Sequence, residues 1–483
     1  MKTVKSLVLC CVLLCGVAVL GAQAPHWLWA RGAGGANSDE GISIATDNQG
    51  NQYVTGAFEG TATFGSQIFT SNGSCDIFVA KLDPNGNWLW VVQVGGTGPD
   101  WGAGITLDGA GSAYVTGSFR GTVSFGSHTL TAYVNYNDIF VAKLDSNGNW
   151  LWAAKASGEY TEYGASIAVD GWGNTYVTGM FDSTITFDRH TMTTNGARDI
   201  FIAKLSPSGT WLWAVNAGGG SWDEGYDIDV DVEGNAFVAG YFNGTATFGS
   251  QTLTSGGGID IFVAKLNSNG NWLWAVQAGG TADDRGHGIA LDGSGNAWVT
   301  GIFCLAASFG SHSLAVSGYD SDIFVAKLDP SGNWLWAVRA GGTKPDVGYR
   351  IAVDGSDIAY VTGYYNNTGA TFGSYTLPPN GYRDIFVAKL GIHPGAGIPI
   401  APQNLSITRN GTHIFLDWGD VAFDLAGNPV SVDHYRVYYC ATGPAGPFTV
   451  FGEDGSITQS QWTHSNAASQ SPGFYYVTAV IAD

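Results

Sequence analysis

Two short phrases alternate along most of this chain. The phrase Asp-Ile-Phe-Val-Ala-Lys-Leu, or a near copy, begins at Asp76, Asp138, Asp199, Asp260, Asp322 and Asp384. The phrase Trp-Leu-Trp begins at Trp27, Trp88, Trp150, Trp211, Trp272 and Trp334. Self-similarity at a nearly fixed period predicts copies of one structural unit that pack side by side.

The two phrases are out of step at the ends of the array. Five times the first phrase leads through a turn into the second, but no Trp-Leu-Trp follows residues 384–390. The unpaired copy lies at the opposite end, at Trp27. A closed ring explains this offset, because the N-terminal strand can then complete the last unit. We therefore expect the strand at Trp27 to pair with residues 384–390.

Each unit reads as four strands. In the copy that follows Gly102, residues rich in β-branched and aromatic side chains are separated by Gly, Asn, Asp and Ser. These runs predict strands over 104–108, 113–119, 138–144 and 150–153, with a small added hairpin over 122–125 and 129–131. Six such units predict an all-β fold, a six-bladed β-propeller closed by the N-terminal strand and followed by a small β-sandwich.

The repeat also resembles a known family. The run Asp-Ile-Phe-Val-Ala-Lys-Leu-Asp-Pro-Ser-Gly-Asn precedes Trp, a Gly-Gly turn, Ile-Ala-Val-Asp-Gly and Tyr-Val-Thr-Gly. This order is similar to the bacterial β-propeller repeat called SBBP, over about residues 27–390. The nickname implies seven blades, whereas six units are present here. The resemblance implies an exported β-propeller and no particular reaction.

The chain divides into four parts by composition. We predict a signal peptide over 1–24, the propeller over 25–390, a Gly/Pro linker over 391–401 and a small sandwich over 402–483. In the last part, Leu-x-Trp, Tyr-Arg-Val-Tyr and Tyr-Tyr-Val-Thr-Ala-Val strands resemble a fibronectin type III domain. That domain either lacks its last strand or is cut short at Asp483.

The N-terminal residues indicate export. Lys2 and Lys5 precede an apolar run over 7–20 that is too short for a comfortable membrane span. Cleavage would follow Ala24 or Gly21. We expect a bacterial protein that is secreted, held at the cell surface or periplasmic, without membrane insertion once the signal is removed.

Charge and cysteine content narrow the partners. The net charge of −20 argues against nucleic acid and against anionic lipid, since both need clustered Lys and Arg. After the signal, only Cys75, Cys304 and Cys440 remain, and this scattered odd set is not a disulfide framework. We expect stability to come from packing and ring closure.

Motifs for catalysis are missing from the sequence. It contains no Gly-x-Ser-x-Gly and no His-Glu-x-x-His, and its nine His are scattered. The sequence therefore favours an exported non-catalytic binding or scaffold protein. The rivals are a carbohydrate-active hydrolase or lyase with carboxylates at the propeller mouth, and a structural cell-surface or adhesion component.

One set of carboxylates recurs two positions before a glycine in every unit. Its members are Asp39, Asp100, Glu162, Asp223, Asp284 and Asp346. Ring symmetry would place them near the central opening, where they could hold a metal such as calcium or bind a cationic or polyhydroxyl ligand. Alternatively, each acid caps its own turn by accepting backbone N–H bonds, which we favour because structural needs recur in every unit.

A calcium loop is suggested elsewhere but is incomplete. Asp229, Asp231 and Glu233 imitate its start, yet the twelfth position holds Gly240 instead of Glu. We predict no cofactor other than the calcium considered above.

Ligand binding is expected where the units differ. Just after the recurring acids, or beside them, lie Trp101, Tyr160, Tyr163, Trp222 and Arg285. Aromatic side chains at a propeller mouth could stack on sugar rings or on a peptide, or could instead cover the edges of neighbouring blades. These residues are our candidate site for a glycan or a protein partner at the cell surface.

A lysine follows each phrase aspartate by five residues. These lysines are Lys81, Lys143, Lys204, Lys265, Lys327 and Lys389. Five strand residues span about 17 Å, so each Lys is out of reach of the Asp in its own phrase. We predict inter-strand ion pairs with the acids at the end of the innermost strand, Asp47, Asp108, Asp170, Asp231, Asp292 and Asp354.

Overall fold

The computed structural model describes residues 29–132, 135–316, 320–379 and 383–391, and six strands between 406 and 481. The described residues form strands joined by turns. None of them forms a helix long and apolar enough to span a membrane.

Six units of one strand order follow one another, and we number them 1 to 6. The inner strands are β2 (Asp39–Thr46), β6 (Trp101–Leu107), β12 (Glu162–Val169), β16 (Glu224–Val230), β20 (Arg285–Leu291) and β26 (Val347–Val353). The second strands are β3 (Gln52–Phe64), β7 (Ala113–Phe119), β13 (Thr175–Phe187), β17 (Ala236–Phe248), β21 (Ala297–Cys304) and β27 (Ala359–Asn366).

The remaining main strands complete each antiparallel sheet. The third strands are β4 (Gln67–Leu82), β10 (Asp138–Leu144), β14 (His190–Leu205), β18 (Gln251–Leu266), β24 (Ser321–Leu328) and β30 (Arg383–Leu390). The outer strands are β5 (Trp88–Val94), β11 (Trp150–Gly158), β15 (Trp211–Gly219), β19 (Trp272–Gly280) and β25 (Trp334–Gly341). Among the described residues, unit 6 therefore has an inner, a second and a third strand.

The predicted small hairpin is present in the units. In units 1, 3 and 4 it is the continuous extension of the second and third strands. In the other units it is a separate pair, namely β8 (Thr122–Phe125) with β9 (His128–Thr131), β22 (Ala306–Phe309) with β23 (His312–Ala315), and β28 (Ala370–Phe372) with β29 (Tyr375–Leu377). The hairpin closes the outer end of each core.

The first tryptophan of Trp-Leu-Trp packs into the core of its own unit. In unit 3, the ring of Trp211 meets Phe187 edge-on at 4.8 Å, and Phe187 lies 5.2 Å from Phe201. Units 2, 4 and 5 repeat this cluster of two phenylalanines and one tryptophan. The repeated phrases are therefore the repeated core.

The third position of Trp-Leu-Trp joins a unit to the next one. Trp213 Nε1 donates to the Ser268 carbonyl in the turn of unit 4, at 3.1 Å. The end of the same outer strand then pairs with the hairpin of unit 4, Gly218 opposite Thr247. Gly218 has φ of 154°, and a Cβ there would lie 2.4 Å from Asp199 Oδ1, so only glycine fits at this junction.

The N-terminal segment makes this junction with unit 1. Trp29 Nε1 donates to the Pro84 carbonyl at 2.9 Å, and β1 (Gly34–Gly35) pairs with β3, Gly34 opposite Thr63. Trp27 lies outside the described residues, so its predicted pairing with β30 stays a prediction. The inner strands contact one another in the series β2, β6, β12, β16, β20 and β26.

The C-terminal strands form two antiparallel three-stranded sheets. One contains β31 (Ser406–Asn410), β32 (His413–Asp417) and β35 (Gln461–His464), and the other β33 (Val432–Cys440), β34 (Thr449–Val450) and β36 (Phe474–Ile481). The resemblance to fibronectin type III stays a prediction. The linker after Gly391 and the signal peptide lie outside the described residues.

Candidate functional site

The recurring aspartates bind backbone amides at the boundaries between units. In unit 5, Asp284 Oδ2 accepts from Gly280 N at 2.8 Å, and Oδ1 accepts from Cys304 N at 2.8 Å. The same two bonds, to the residue four before and the residue twenty after, are made by Asp39, Asp100, Asp223 and Asp346. Each aspartate thus connects the second strand of its own unit to the segment that precedes the unit. In the interior units, that segment is the end of the preceding outer strand or the residues directly after it.

Burial changes the acidity of these carboxyl groups. Burial raises the pKa of Asp100 and Asp284 to about 7 and the pKa of Asp223 to about 6. The hydrogen bonds from the backbone amides act in the opposite direction and lower these pKa values. A second buried acid of the phrase, such as Asp260 beside Asp284, raises the pKa further. Among the described residues, no three His, Cys, Asp or Glu side chains gather into a group that could hold a metal. The six acids are not brought together.

Unit 3 is the exception at this position. Glu162 replaces the aspartate in this unit. Neither of its carboxylate oxygens accepts a hydrogen bond of the kind that the aspartates accept from backbone amides in the other units. Burial, and then the charge of Asp138, raise the pKa of Glu162 to about 9. The glycine of the other junctions is Ser157 here, and Lys155 donates to both Ser157 Oγ at 3.0 Å and Asp138 Oδ2 at 3.2 Å.

Two predicted ligand-binding residues lie together at the start of unit 3. The exposed ring of Tyr160 lies 5.6 Å from that of Tyr136. Asn137 Nδ2 donates to the hydroxyl of Tyr163 at 3.0 Å, and the Tyr163 side chain is also exposed. Trp101, half-buried, begins the inner strand of unit 2. The structure thus groups Tyr160 and Tyr163 with two polar or aromatic neighbours that the sequence did not single out.

Trp222 presents the largest exposed aromatic surface of the predicted set. It is 59% exposed, and the guanidinium of Arg198 lies 5.4 Å from its ring centroid. Arg198 is held by Glu224 at 2.5 Å and by Asp182 at 3.0 Å. An exposed indole beside fixed hydrogen-bonding groups is a surface on which a planar or polyhydroxyl ligand can stack.

Arg285 leads to a group of rings that the sequence interpretation missed. Its guanidinium lies 5.4 Å from the ring of Tyr241 and 3.5 Å from Asp283. From Tyr241, successive rings lie 5.2–5.8 Å apart along Tyr226, His287, Tyr349 and Tyr364. We call Tyr241, Tyr226, His287, Tyr349 and Tyr364 the aromatic belt. Arg383 lies 4.4 Å from Tyr364 at its far end.

A signal for the belt was present in the sequence. The position after the inner-strand glycine holds Tyr226, His287 and Tyr349 in units 4 to 6, counted from Gly225, Gly286 and Gly348. In units 1, 2 and 3 the aligned residues are Ile42, Ala103 and Ala165. Aligning the six units at this glycine would have found it.

His287 is the buried centre of the belt. Its Nδ1 lies 3.0 Å from the carbonyl of Gly348, which can only accept, so Nδ1 carries the hydrogen. Burial, and then the charges of Arg285 and Arg350, lower the pKa of His287 to about 4. The imidazole is therefore neutral at pH 7, with Nε2 as an acceptor.

Asp227 and Arg350 connect the inner strands behind the belt. Asp227 accepts from Ser166 Oγ at 2.5 Å and from Ile289 N at 3.0 Å, so it bridges three units. Arg350 Nη1 lies 3.6 Å from Asp227 Oδ2 and donates to the His287 carbonyl at 2.9 Å. This network holds the belt strands at fixed separations.

The predicted lysine pairs lie at the opposite end of the inner strands. Lys327 Nζ lies 2.8 Å from Asp292, and it sits 4.6 Å from the ring of Trp298. Units 1 to 4 contain the same ion pair and ring contact. The prediction is confirmed in these five units, and the repeated contacts indicate a structural role.

Comparison with known proteins supports the repeat type. A family model described as SBBP, Beta-propeller repeat, matches residues 89–118. The uncharacterized WD repeat-containing protein L264 of Acanthamoeba polyphaga mimivirus is 24% identical over 432 residues, covering 70% of this chain and 31% of that protein. The regulatory protein FlaEY of Caulobacter vibrioides is 25% identical over 305 residues, covering 58% and 31%. These matches support a propeller repeat protein.

These likenesses are partial. The chain spans about a third of the length of both relatives. Among solved structures, the gluconolactonase XC5397 of Xanthomonas campestris is 12% identical, covering 64% of this chain and 88% of that one, with a TM-score of 0.27. A likeness at that TM-score supports no conclusion about this chain.

Proposed function

We propose that this chain is an exported, non-catalytic binding or scaffold protein that binds a glycan through exposed aromatic residues of units 3 and 4. The exposed rings of Trp222 and Tyr160 carry the proposal. They occupy the segments between units, where the aligned residues of most other units are small or polar. Aromatic side chains that serve the repeated core are buried instead.

The surroundings of these rings fit a sugar. Arg198 and Glu224 lie beside Trp222, and Asn137 lies beside Tyr163, so hydrogen-bond donors and acceptors flank apolar ring faces. A pyranose ring offers the matching combination of an apolar C–H face and polar hydroxyl edges. A protein partner would use the same aromatic and arginine side chains, which are common interface anchors.

We further propose that the platform is a closed six-bladed ring. The N-terminal segment already contacts unit 1 through Trp29 and Gly34 as an outer strand contacts the following unit. Unit 6 has no described outer strand, and its third strand β30 exposes Ile385 and Val387. Pairing of the N-terminal strand with β30 would give unit 6 its outer strand and would join the two ends of the array.

Glycan binding is tested by matched tryptophan variants. We expect Trp222→Ala to weaken binding to a captured glycan at least tenfold, and Tyr160→Ala to weaken it less, by isothermal titration after an array screen. Trp172→Ala is the control, because Trp172 is 64% exposed in the turn after the inner strand of unit 3, at the opposite end of that strand.

Three outcomes separate the candidate functions. Loss in Trp222→Ala with an unchanged Trp172→Ala supports the proposed site. The proposed site is contradicted if both variants lose binding equally. It is also contradicted if the parent protein binds no glycan at all. Turnover of a bound glycan would replace the binding role with that of a carbohydrate-active enzyme.

A further inference from the structure

The aromatic belt departs from the repeat in three consecutive units. Structural contacts recur through most of the array, since the junction aspartates and the lysine pairs are each present in five of the six units. At the inner-strand belt positions, units 1 to 3 instead carry Ile42, Ala103 and Ala165. At the second-strand position that aligns with Tyr241 and Tyr364, these units carry Ala57, Ser118 and Met180. Because these units fold without a belt, packing does not require it. A contiguous row of rings confined to one part of the array indicates a ligand.

A tyrosine ring of the belt and the neighbouring arginine side chain are both partly exposed to solvent. Tyr349 is 49% exposed, although it lies 5.8 Å from both His287 and Tyr364. The neighbouring Arg350 side chain is 38% exposed while its Nη1 is anchored to the His287 carbonyl. An anchored guanidinium is pre-organised, which lowers the entropy cost of binding a ligand.

Arginines are concentrated along the belt of a chain that is acidic as a whole. The net charge is −20, yet Arg285, Arg350 and Arg383 all lie along the belt. Arg285 lies 3.5 Å from Asp283, and Arg350 Nη1 lies 3.6 Å from Asp227 Oδ2, so each of these guanidinium groups has one carboxylate nearby. The Arg350 side chain nevertheless remains partly exposed to a ligand. Carboxylates are present on the side of unit 4, as Glu224 and Asp227.

We infer that the belt binds a carboxylated saccharide, with a sugar ring on Tyr349 and its carboxylate on Arg350. Guanidinium matches a carboxylate with two parallel N–H bonds, and tyrosine supplies the face on which a sugar stacks. The neutral His287 can accept a hydroxyl hydrogen at Nε2. This inference rests on the proposed glycan binding, names the class of glycan, and adds Tyr349 and Arg350 of unit 6 as a binding surface beside the one proposed around Trp222 and Tyr160.

The test compares ligand pairs that differ in charge alone or nearly so. Trigalacturonate is titrated against its methyl ester, and sialyllactose against its methyl ester, at low and at moderate salt. We expect at least one acid to bind tenfold or more tightly than its neutral counterpart, with a preference that shrinks as salt rises. Tyr349→Ala should weaken binding of both members of that pair, whereas Arg350→Gln should remove the preference for the acid.

Two control variants and the fold are measured in parallel. Tyr375→Ala and Arg189→Gln change exposed residues in the hairpins of units 6 and 3, and both should bind like the parent. Thermal midpoints report whether Arg350→Gln is still folded, and Arg350→Lys, which keeps the charge, should retain part of the preference.

The outcomes distinguish this inference from the proposed function. Equal binding of acid and neutral forms, or a preference that survives Arg350→Gln in a folded protein, overturns the carboxylate inference and leaves glycan binding in place. Failure of every saccharide to bind, acidic or neutral, overturns both.

Discussion

Equivalent residues have opposite surroundings in two regions of the molecule. They are buried where unit 1 contacts unit 2, and they are exposed at the two ends of the array. Ile77 in β4 of unit 1 is 0% exposed, whereas its counterpart in β30, Ile385, is 82% exposed. On the surface of unit 2 that faces unit 1, the inner-strand residue Ile105 is 6% exposed, whereas the aligned inner-strand residue of unit 1, Ile44, is 62% exposed. The strands and their register are alike, so only the presence of a neighbouring unit separates buried from exposed.

This difference supports the proposal that the two ends are complementary halves of one junction. Unit 1 offers a groove of about 370 Å³ lined by Ile44, Val54, Phe64, Phe78 and others. Unit 6 offers the side chains that fill the equivalent space at interior junctions. Full burial of one such aliphatic side chain contributes about 1.5–3 kcal/mol, so an array left open would forgo several favourable contacts.

The largest expected effect comes from truncating the two equivalent isoleucines. If the ring closes, Ile77→Ala and Ile385→Ala should each lower the free energy of unfolding by about 3 kcal/mol, because each leaves a cavity. Urea unfolding of the two variants measures this. A change below about 0.5 kcal/mol for Ile385→Ala alone would indicate that the ends stay apart.

A crosslink gives an independent check on the same comparison. Within unit 1, Ala80 of the third strand β4 lies opposite Val91 of the outer strand β5, and the aligned positions at the ends are Ala388 in β30 and Ala30 in the N-terminal segment. In a closed ring, Ala30→Cys combined with Ala388→Cys should form an intramolecular disulfide, detected by mass spectrometry after digestion. Ala30→Cys with Ala352→Cys, on the inner strand of unit 6, is the mismatched control.

A smaller effect is expected from the lysine pairs. Lys327→Met leaves the buried Asp292 without its cation and should cost about 2 kcal/mol, since an unpaired buried charge is destabilising. In unit 6, Lys389 lies 5.4 Å from the ring of Tyr360, and Asp354 is only half-buried. Lys389→Met should therefore cost less than Lys327→Met, because a carboxylate that water reaches depends less on a cationic partner. Equal losses in the two urea titrations would contradict this contrast.

The smallest expected effect is a pH dependence that the interior junctions create. The pKa of Asp284 is raised to about 7 from an unfolded value near 3.9, so the native state holds the proton more tightly. Its stabilising contribution is complete at low pH and is lost as pH rises through 7. Between pH 6.5 and 8.5 this loss amounts to about 1 kcal/mol for this group.

The pH window is chosen to separate Asp284 from His287. The pKa of His287 is lowered to about 4, so it affects stability mainly between pH 4 and its unfolded value of about 6.5. Thermal unfolding from pH 6.5 to 8.5 should show a falling midpoint that is flatter in Asp284→Asn. Asp188→Asn, at an exposed position in the hairpin turn of unit 3, is the control, and an unchanged slope in Asp284→Asn would refute the assignment.

The candidate site was only partly predictable. Trp222, Tyr160 and Tyr163 stood out because they interrupt a repeat with bulky polar aromatics, and the structure leaves them exposed at the segments between units. The belt was harder to see, since contact between Tyr226, His287 and Tyr349 depends on three inner strands separated by about a unit each. Side chains that meet across strands are adjacent in space only after the units pack.

The sequence by itself determined the strand order, the hairpin, the core phrases and the lysine pairs, because these depend on alternation and turns within one unit or between neighbours. Tertiary structure decided the role of the recurring acids. Asp284 and its equivalents accept one hydrogen bond from the amide of a glycine four residues earlier and a second from the amide of a residue twenty positions later, and that second partner has no fixed residue type. A backbone amide is the same at every position, so only the fold selects which amide a carboxylate meets.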